Sequence, residues 1–419
     1  VLPGIPVSIS SEVIPEMYEY ERAETTVVNS YIRPVVAKYI ENLERELDSR
    51  MNGVQLHILR SDGGLASAEA AKAAPVNLLM SGPAGGVSGA IWIAKQAGYE
   101  NLLTFDMGGT STDVALIEGG VARTRREPRV ADVTVRASSI DVRTVGAGGG
   151  SIAYVPELTK ALRVGPQSAG AEPGPAAYGK GGEDPTVTDA NVVLGYLPEQ
   201  LAGGDLKLDI ARARAVIERD LAGPLKLSVE AAAFGVREVA NANMARAIRA
   251  VSVERGIDPR DFALAAFGGS GPAHACDLAS SLDITKVMLP MMPGVFTALG
   301  MLTGDVERHF LTAMPGLLPD LDLGELGKSV ATLRAQAEAA LGEENFARAQ
   351  MRLAFSLELR FEGQDSELPI LLPDDLTDVT IAWLQQSFLA AYEALYQYVA
   401  EGAVEVVNLR LLARGIRDG

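Results

Sequence analysis

The sequence predicts an α/β fold, on three observations. Short apolar runs with a two-residue period alternate along the chain with longer runs of helical period. Glycine, 43 of 419 residues, is concentrated in clusters at the ends of the short runs, where backbone must approach something closely. The composition, 47% apolar and 22% charged, is that of a globular chain. The length predicts two or three domains. We divide them as a lead-in arm (1–24), a core (25–315) and a C-terminal α+β domain (316–419). With 54 acidic against 37 basic side chains the formal charge is −17, which argues against a nucleic-acid partner, since backbone phosphates need a basic face. A single cysteine, Cys276, requires no oxidising compartment. No apolar run reaches membrane-spanning length and the start does not read as a signal peptide, so the expectation is a cytoplasmic protein with no membrane contact. The first residue is Val1 and not Met, so the expectation is a piece of a longer protein, whether processed or cut for study.

Taken in order, Val28, Ile32, Val35, Val36, Tyr39, Ile40, Leu43 and Leu47 form one stripe and predict a helix over 25–50, with Pro34 as a kink. Val54, Leu56 and Ile58 alternate with polar residues as a strand does. The loop Ser61-Asp62-Gly63-Gly64 follows, then a short helix capped by Ser67. A short strand is expected at 76–80, then Ser81-Gly-Pro-Ala-Gly-Gly86 opening a helix that stops at Gly98. Strands at 101–105 and 113–117 enclose Asp106-Met-Gly-Gly-Thr110. Glu118-Gly119-Gly120 is a turn, and Gly146 to Gly150 begins an irregular stretch reaching about 188. Helices follow at 209–220 and 228–255, the second capped by Ser228 with Val236, Val239, Ala240, Ala247 and Val251 on one face. A strand at 262–267 runs into Gly268-Gly-Ser-Gly-Pro272 and a helix from about 273. Beyond 315 come a helix (322–341), a strand (351–361), a helix (377–399) and a strand (404–413).

The segment Asp106 to Asp113, set between two strands, carries the strongest chemical signal. Gly108 and Gly109 let backbone amides face an anion at close range, and Thr110, Ser111 and Thr112 add three hydroxyls. Asp106 does not bind phosphate itself but suits magnesium, which bridges phosphates. A plain turn capped by Asp fits the same residues. No G-x-x-x-x-G-K-[ST] loop is present, so this is not a Walker site. Gly268, Gly269, Ser270 and Gly271, between strand and helix, would let a nucleoside lie against backbone near a positive helix end; close packing explains them equally well. His274 and Cys276 lie two apart on that helix and do not chelate together. Three widely spaced histidines (57, 274, 309) disfavour a zinc centre of the H-E-x-x-H or cysteine type, and the absence of G-x-S-x-G removes the usual hydrolase elbow.

Seven segments in order resemble the hydantoinase A / 5-oxoprolinase family, which includes nucleotide-binding subunits of acetone and acetophenone carboxylases. They are Ser81-Gly-Pro-Ala-Gly-Gly-Val87, Phe105-Asp-Met-Gly-Gly-Thr-Ser-Thr-Asp-Val114, Thr144-Val-Gly-Ala-Gly-Gly-Gly-Ser-Ile152, Gly174-Pro-Ala, Pro185-Thr-Val-Thr-Asp-Ala-Asn191, Ala242-Asn-Met-Ala-Arg246 and Ala266-Phe-Gly-Gly-Ser-Gly-Pro272. The resemblance runs from about residue 10 to about 412. It implies a ribonuclease-H-like core of the actin-like ATPase superfamily, with Asp106 to Asp113 as second phosphate loop and Gly268 to Gly271 as adenosine loop. The family's first phosphate loop, of the Asp-Val-Gly-Gly-Thr-Phe-Thr-Asp kind, sits on an N-terminal domain, and no copy of it occurs in this sequence. Other departures are Tyr392 and Gln397 where the family often has His and Gly, Ala177 for a common Cys, and Asp62 for a frequent Asn.

The implied activity is ATP-dependent hydrolysis of a five-membered lactam or imide through a phosphorylated intermediate, as in hydantoin or 5-oxoproline (glutathione-linked) chemistry, or the ATP-binding part of such an enzyme. ATP and magnesium are the implied cofactors. Asp106 is the expected metal holder; the general base is not identified, and Asp141, Asp189 and His274 are the further catalytic candidates, each of which also fits a structural role. The implied partners are a small cyclic amide and a hydantoinase B-type subunit, in a homo- or hetero-oligomer. Two alternatives stand: the nucleotide-binding subunit of a ketone carboxylase, and a scaffold subunit without catalysis.

Overall fold

A computed structural model describes residues 5–14, 18–51, 53–125, 129–130, 133–364, 366–398 and 401–416. Residues 1–4 and 15–17 of the expected lead-in arm lie outside the described residues. The chain forms two compact α/β units, each built from separated stretches: 1–81, 126–139 and 304–419 make one, and 82–125 with 140–303 make the other. Residues 304–419 do not stand alone, as a division at 315 expects. Their sheet takes in two strands from the N-terminal part of the chain.

That sheet runs, from edge to edge, through His57–Leu59, Leu65–Ser67, Val306–Leu317, Val404–Gly415, Met351–Phe361 and Leu368–Leu371. Only the contact of Leu65 with Val306 is parallel. Helix Leu323–Glu343 packs on the sheet through Leu326, Val330, Leu333, Ala337 and Leu341, the stripe a 3.6-residue period gives. Leu384, Phe388 and Tyr392 do the same for helix Ile381–Tyr396. The first long helix is Glu19–Arg50, with Pro34 inside it. It buries Thr25, Asn29 and Ile40, while Val35 and Tyr39 of the expected stripe are exposed. Ser67 caps helix Ala68–Ala73, accepting from the Ala70 amide. The strand expected at 76–80 is instead a single 3₁₀ turn, Pro75–Leu78, because Pro75 fixes a helical φ at its first position.

The second unit is a mixed sheet covered on both faces. Its strands are β1 (Leu102–Met107), β2 (Thr112–Glu118), β3 (Val142–Val145), β4 (Ala263–Phe267) and β5 (Val287–Met288). Their spatial order is β3-β2-β1-β4-β5, with Val121–Ala122 adding a short pairing to β2. β1, β2 and β3 form an antiparallel meander, whereas β4 runs parallel to β1 and β5 parallel to β4. Gly119 and Gly120 both have positive φ, as a tight hairpin turn with the right twist requires.

Five helices matter here: α1 (Ser81–Ala97), α2 (Val187–Val193), α3 (Val229–Val251), α4 (Gly271–Ser281) and α5 (Phe296–Met301). Strand side chains alternate between faces, and Leu103, Phe105, Met107, Val114, Leu116, Leu264 and Ala266 enter one core with Val236, Ala240, Met244 and Ile248 of α3 and Leu278 of α4. Phe267, of opposite parity, meets Phe296 of α5 with ring centroids 4.8 Å apart. The glycines of α1 serve close packing: Gly86 lies under the Phe267 ring and Gly89 against Gly300. The stretch expected to be irregular is mostly so; within it Ser151–Tyr154 pairs with Arg163–Ser168 as a hairpin, and α2 begins at its end.

Candidate functional site

β1 and β2 pair so that Asp106 stands opposite Asp113 and Met107 opposite Thr112. The turn between them is closed by the Gly108 amide donating to the Ser111 carbonyl at 3.0 Å. The Gly108 and Gly109 carbonyls face the glycine run, accepting from Gly149 N at 3.0 Å and Gly150 N at 2.6 Å. In a trans peptide the N–H points opposite the C=O, so the amides of Gly109 and Thr110 are aimed away from that run. Among the described residues the amides of Gly109, Thr110 and Ser111 have no hydrogen-bond acceptor. Gly109 and Thr110 are exposed. Successive outward amides of this kind form an anion-binding concavity. The run itself must be glycine, since a Cβ on Gly148 would stand 2.7 Å from the Gly109 and Thr110 backbone.

Asp106 accepts from Thr297 Oγ1 at 3.2 Å, and Asp113 accepts from the Thr144 hydroxyl across the β2–β3 pairing. Burial first, and then the facing Asp113 carboxylate, push the Asp106 carboxyl up to about 6, with Thr297 acting the other way. Burial also raises Asp113, opposed by Thr144. No basic side chain among the described residues neutralises either group. Two facing carboxylates without a cation suit a hard divalent ion. Gly268 completes the site. Its φ is +80°, and a Cβ there would overlap Asp106 Oδ1 and the Met107 carbonyl. The Ser270 amide donates to that same carbonyl at 2.9 Å, and α4 begins at Gly271. Gly268 to Gly271 and the hairpin therefore meet at Asp106, while Gly269 has open space around it.

Other expected site residues are placed elsewhere. Thr112 is fully buried, and its hydroxyl donates to the Ala147 carbonyl, so it does not join Thr110 and Ser111. Asp141 is held between Arg125 and Arg255. Asp189 is fully buried and accepts from Thr186 N (2.9 Å), Thr186 Oγ1 (2.7 Å), Ala176 N (3.3 Å) and Ala177 N (2.7 Å), capping α2. His274 has both ring nitrogens occupied, Nδ1 by Asn241 Oδ1 at 2.7 Å and Nε2 by Asn191 Nδ2 at 3.0 Å. Burial, helped by Arg237, pushes its pKa down to about 3, so the ring is neutral at ordinary pH. Among the described residues these three polar groups take partners within the unit, and none of the hydrogen bonds or ion pairs given for them goes to the 106–113 hairpin.

The family model for hydantoinase/oxoprolinase proteins matches residues 22–310. The chain belongs to the hydantoinase/oxoprolinase family. It is 38% identical over 414 residues to caprolactamase subunit alpha of Pseudomonas jessenii, covering 97% of this chain and 59% of that protein. The crystal structure of the ATP-dependent caprolactamase from that organism superposes with a TM-score of 0.79 at 37% identity, over 98% of this chain and 60% of the other. A nucleotide-free acetone carboxylase structure gives the same TM-score, 0.79, at 28% identity, over 97% and 59% of the two chains. Arabidopsis thaliana 5-oxoprolinase 1 is 34% identical over 87% of this chain and 30% of its own length. The chain thus spans about three fifths, or less, of these relatives. Among the described residues no helix is long and apolar enough to cross a membrane.

Within this hydantoinase/oxoprolinase frame the departures have local accounts. Ala177, at the Cys position, uses its amide to hold Asp189. Tyr392 packs edge-on against Phe361. Gln397 takes a left-handed conformation at a helix end, where glycine is the residue most at ease. Sequence reasoning missed Thr297 and the carbonyl clasp at Gly149 and Gly150. Thr297 gives no local signal, because it reaches Asp106 from a helix 191 positions away. Thr112 was misassigned to the phosphate row although the sequence held the signal: with Val114 and Leu116 it shares the apolar parity of β2.

Proposed function

We propose that this chain is the phosphate-binding part of an ATP-dependent enzyme that opens a cyclic amide. The observation that carries the reading is the row of free amides at Gly109 to Ser111 beside the Asp106–Asp113 pair. In this reading the amides and the Thr110 and Ser111 hydroxyls hold phosphate oxygens. Asp106 presents its carboxylate to magnesium, oriented by Thr297, with Asp113 opposite. The residues fit such an ion, since two buried acids otherwise repel each other. When bound, magnesium neutralises charge on the phosphates. Gly268 to Gly271 border the nucleotide, and Gly268 allows the backbone to lie beside Asp106. A three-stranded antiparallel meander continued by two parallel strands supports the ribonuclease-H-like, actin-like ATPase reading of this unit.

Amide resonance makes a lactam carbonyl a poor electrophile. Transfer of the terminal phosphoryl group of ATP to its oxygen, with ADP leaving, activates the ring carbon. One water adds there and the ring C–N bond breaks with nitrogen leaving as the amine. A second water releases phosphate from the acyl phosphate, and the protein's part is positioning and charge stabilisation. The likeness to caprolactamase subunit alpha and to 5-oxoprolinase supports the lactam as substrate class. That caprolactamase relative is one subunit of its enzyme, which supports a second chain, of hydantoinase B type, as partner. The equal superposition on acetone carboxylase favours a second reading, in which the phosphoryl group goes to an enolate or to bicarbonate. The test is calorimetry with magnesium-ATP on this chain, followed by lactam-dependent phosphate release with the partner present. Binding with lactam-dependent turnover supports the first reading, and a bicarbonate requirement the second. Neither binding nor turnover refutes both.

A further inference from the structure

The first unit carries a cluster that plays no part in the phosphate site. Glu307 and His309 lie two apart on strand Val306–Leu317 and so share a face. Asp62 comes to them from the loop between His57–Leu59 and Leu65–Ser67, because Leu65 is paired alongside Val306 and its amide donates to the Asp305 carbonyl at 2.9 Å. One donor atom from each of Asp62, Glu307 and His309 lies within 4.8 Å of the other two. His309 Nε2 is 3.2 Å from Asp62 Oδ2 and 3.7 Å from Glu307 Oε2.

A second observation concerns direction. His309 keeps 21% of its side chain exposed, but its Nε2 atom is screened from solvent and, although in ion-pair range of Asp62 Oδ2 at 3.2 Å, has no well-directed hydrogen bond. A hydrogen bond needs the N–H to lie along the line between the two atoms. Ligands of one ion do not point at each other; they converge on a point between them. With metal–ligand bonds of about 2.1 Å, neighbouring ligands stand roughly 3–3.5 Å apart. The surrounding groups act as outer partners. Arg60 holds Asp62 through Nε to Oδ1 at 3.2 Å and Nη2 to Oδ2 at 2.7 Å, and Gly64 N donates to Oδ1 at 3.3 Å. Arg414 Nε takes Glu307 Oε1 at 2.7 Å, which leaves Oε2 to face inward. Gly64 allows the approach, since a Cβ there would stand 2.5 Å from Glu307 Oε2.

We propose that Asp62, Glu307 and His309 bind one divalent transition ion, of the zinc or manganese class, that ties the loop at 61–64 to strand 306–317. An imidazole donor disfavours calcium and magnesium, and two carboxylates match a double positive charge. Three protein ligands leave a coordination position for water. The sequence pattern, E-x-H on a strand plus a distant Asp, is neither of the zinc spacings that the histidine count argues against. The site is independent of the nucleotide reading.

The experiment uses the full chain, freed of any affinity tag and of metal, in an Asp106→Asn background so that the phosphate site does not contribute. Zinc and manganese are titrated by calorimetry, and bound metal is counted by mass spectrometry. The expected result is one zinc or manganese ion per chain with a rise in melting temperature. Glu307→Gln and His309→Gln each weaken binding at least tenfold, while His57→Gln, on the histidine paired with Glu344, leaves it unchanged. Failure of the metal-free parent chain to take up either ion overturns the proposal without reference to any variant. So does tight binding that persists in a folded Glu307→Gln or His309→Gln chain, since the ion then sits elsewhere. Equal affinity for magnesium also overturns it.

Discussion

Replacing Asp106 by Asn should make the metal-free protein more stable at high pH. Burial and the facing Asp113 carboxylate raise the Asp106 carboxyl from 3.8 to about 6. Each unit of such a shift is worth about 1.4 kcal/mol, so the ionised group costs the folded state about 3 kcal/mol, or about 2 once residual solvent screening is counted. The folded state therefore binds this proton more tightly than the unfolded chain does. Its contribution is fully present below about pH 3.8 and lost as pH rises through about 6. Asparagine keeps the shape and still accepts from Thr297, but carries no charge. In chelator at pH 8, Asp106→Asn should gain about 2–3 kcal/mol in urea unfolding, or roughly 5–10 °C in melting temperature for a unit of this size. At pH 4 the two proteins should coincide. Magnesium should raise the melting temperature of the parent and not of the variant, while ATP turnover disappears in the variant. A variant that is less stable at pH 8, or a gain of equal size at both pH values, would refute the reasoning.

Two further contrasts test the geometry around that carboxylate. Gly268→Ala places a methyl group against Asp106 and Met107 at a φ of +80°, and should lower stability by about 2 kcal/mol or more, whereas Gly269→Ala, with open space around it, should leave the unfolding midpoint unchanged. Thr112→Val leaves the Ala147 carbonyl without its partner and should cost about 1–2 kcal/mol of stability with the KM for ATP unaltered; Ser111→Ala should raise that KM at unchanged stability.

The fold was readable where a local period is enforced by burial. Strand Met351–Phe361 and the core face of α3 follow directly from apolar spacing. The division into units was not readable, because it rests on pairings between distant segments, such as Leu65 beside Val306. Strand Val306–Leu317 was missed for a related reason. Its side chains are mostly half-buried, so the two-residue apolar alternation that marks a strand is weak there. The turn from Gly108 to Ser111 was located correctly as a tight glycine-rich connection, yet nothing within it says which way its peptide planes face. That orientation comes from the amides of Gly149 and Gly150, some forty residues on, which take the Gly108 and Gly109 carbonyls and leave the N–H groups pointing out.

The expected metal holder and the three further catalytic candidates of the sequence separate on one physical property, whether the buried group is compensated. Asp189 has four donors on its two oxygens, Asp141 has two arginines, and His274 is held neutral between two asparagines. Each of these satisfies a need of folding, because an unpaired buried polar group is expensive. Asp106 has one weakly placed hydroxyl and a second carboxylate opposite it, an arrangement that folding alone would select against. Such an arrangement persists when something absent from the isolated chain removes the cost, and the groups around it indicate what that is: outward amides for an anion and paired oxygens for a cation, side by side. On the proposed function a magnesium-bound polyphosphate would remove that cost, its phosphates meeting the amides and its ion the paired oxygens. The unsatisfied carboxylate is therefore a sharper marker of the candidate site than the glycines that drew attention to it, since Gly86 and Gly89 answer a close-packing demand against Phe267 and Gly300.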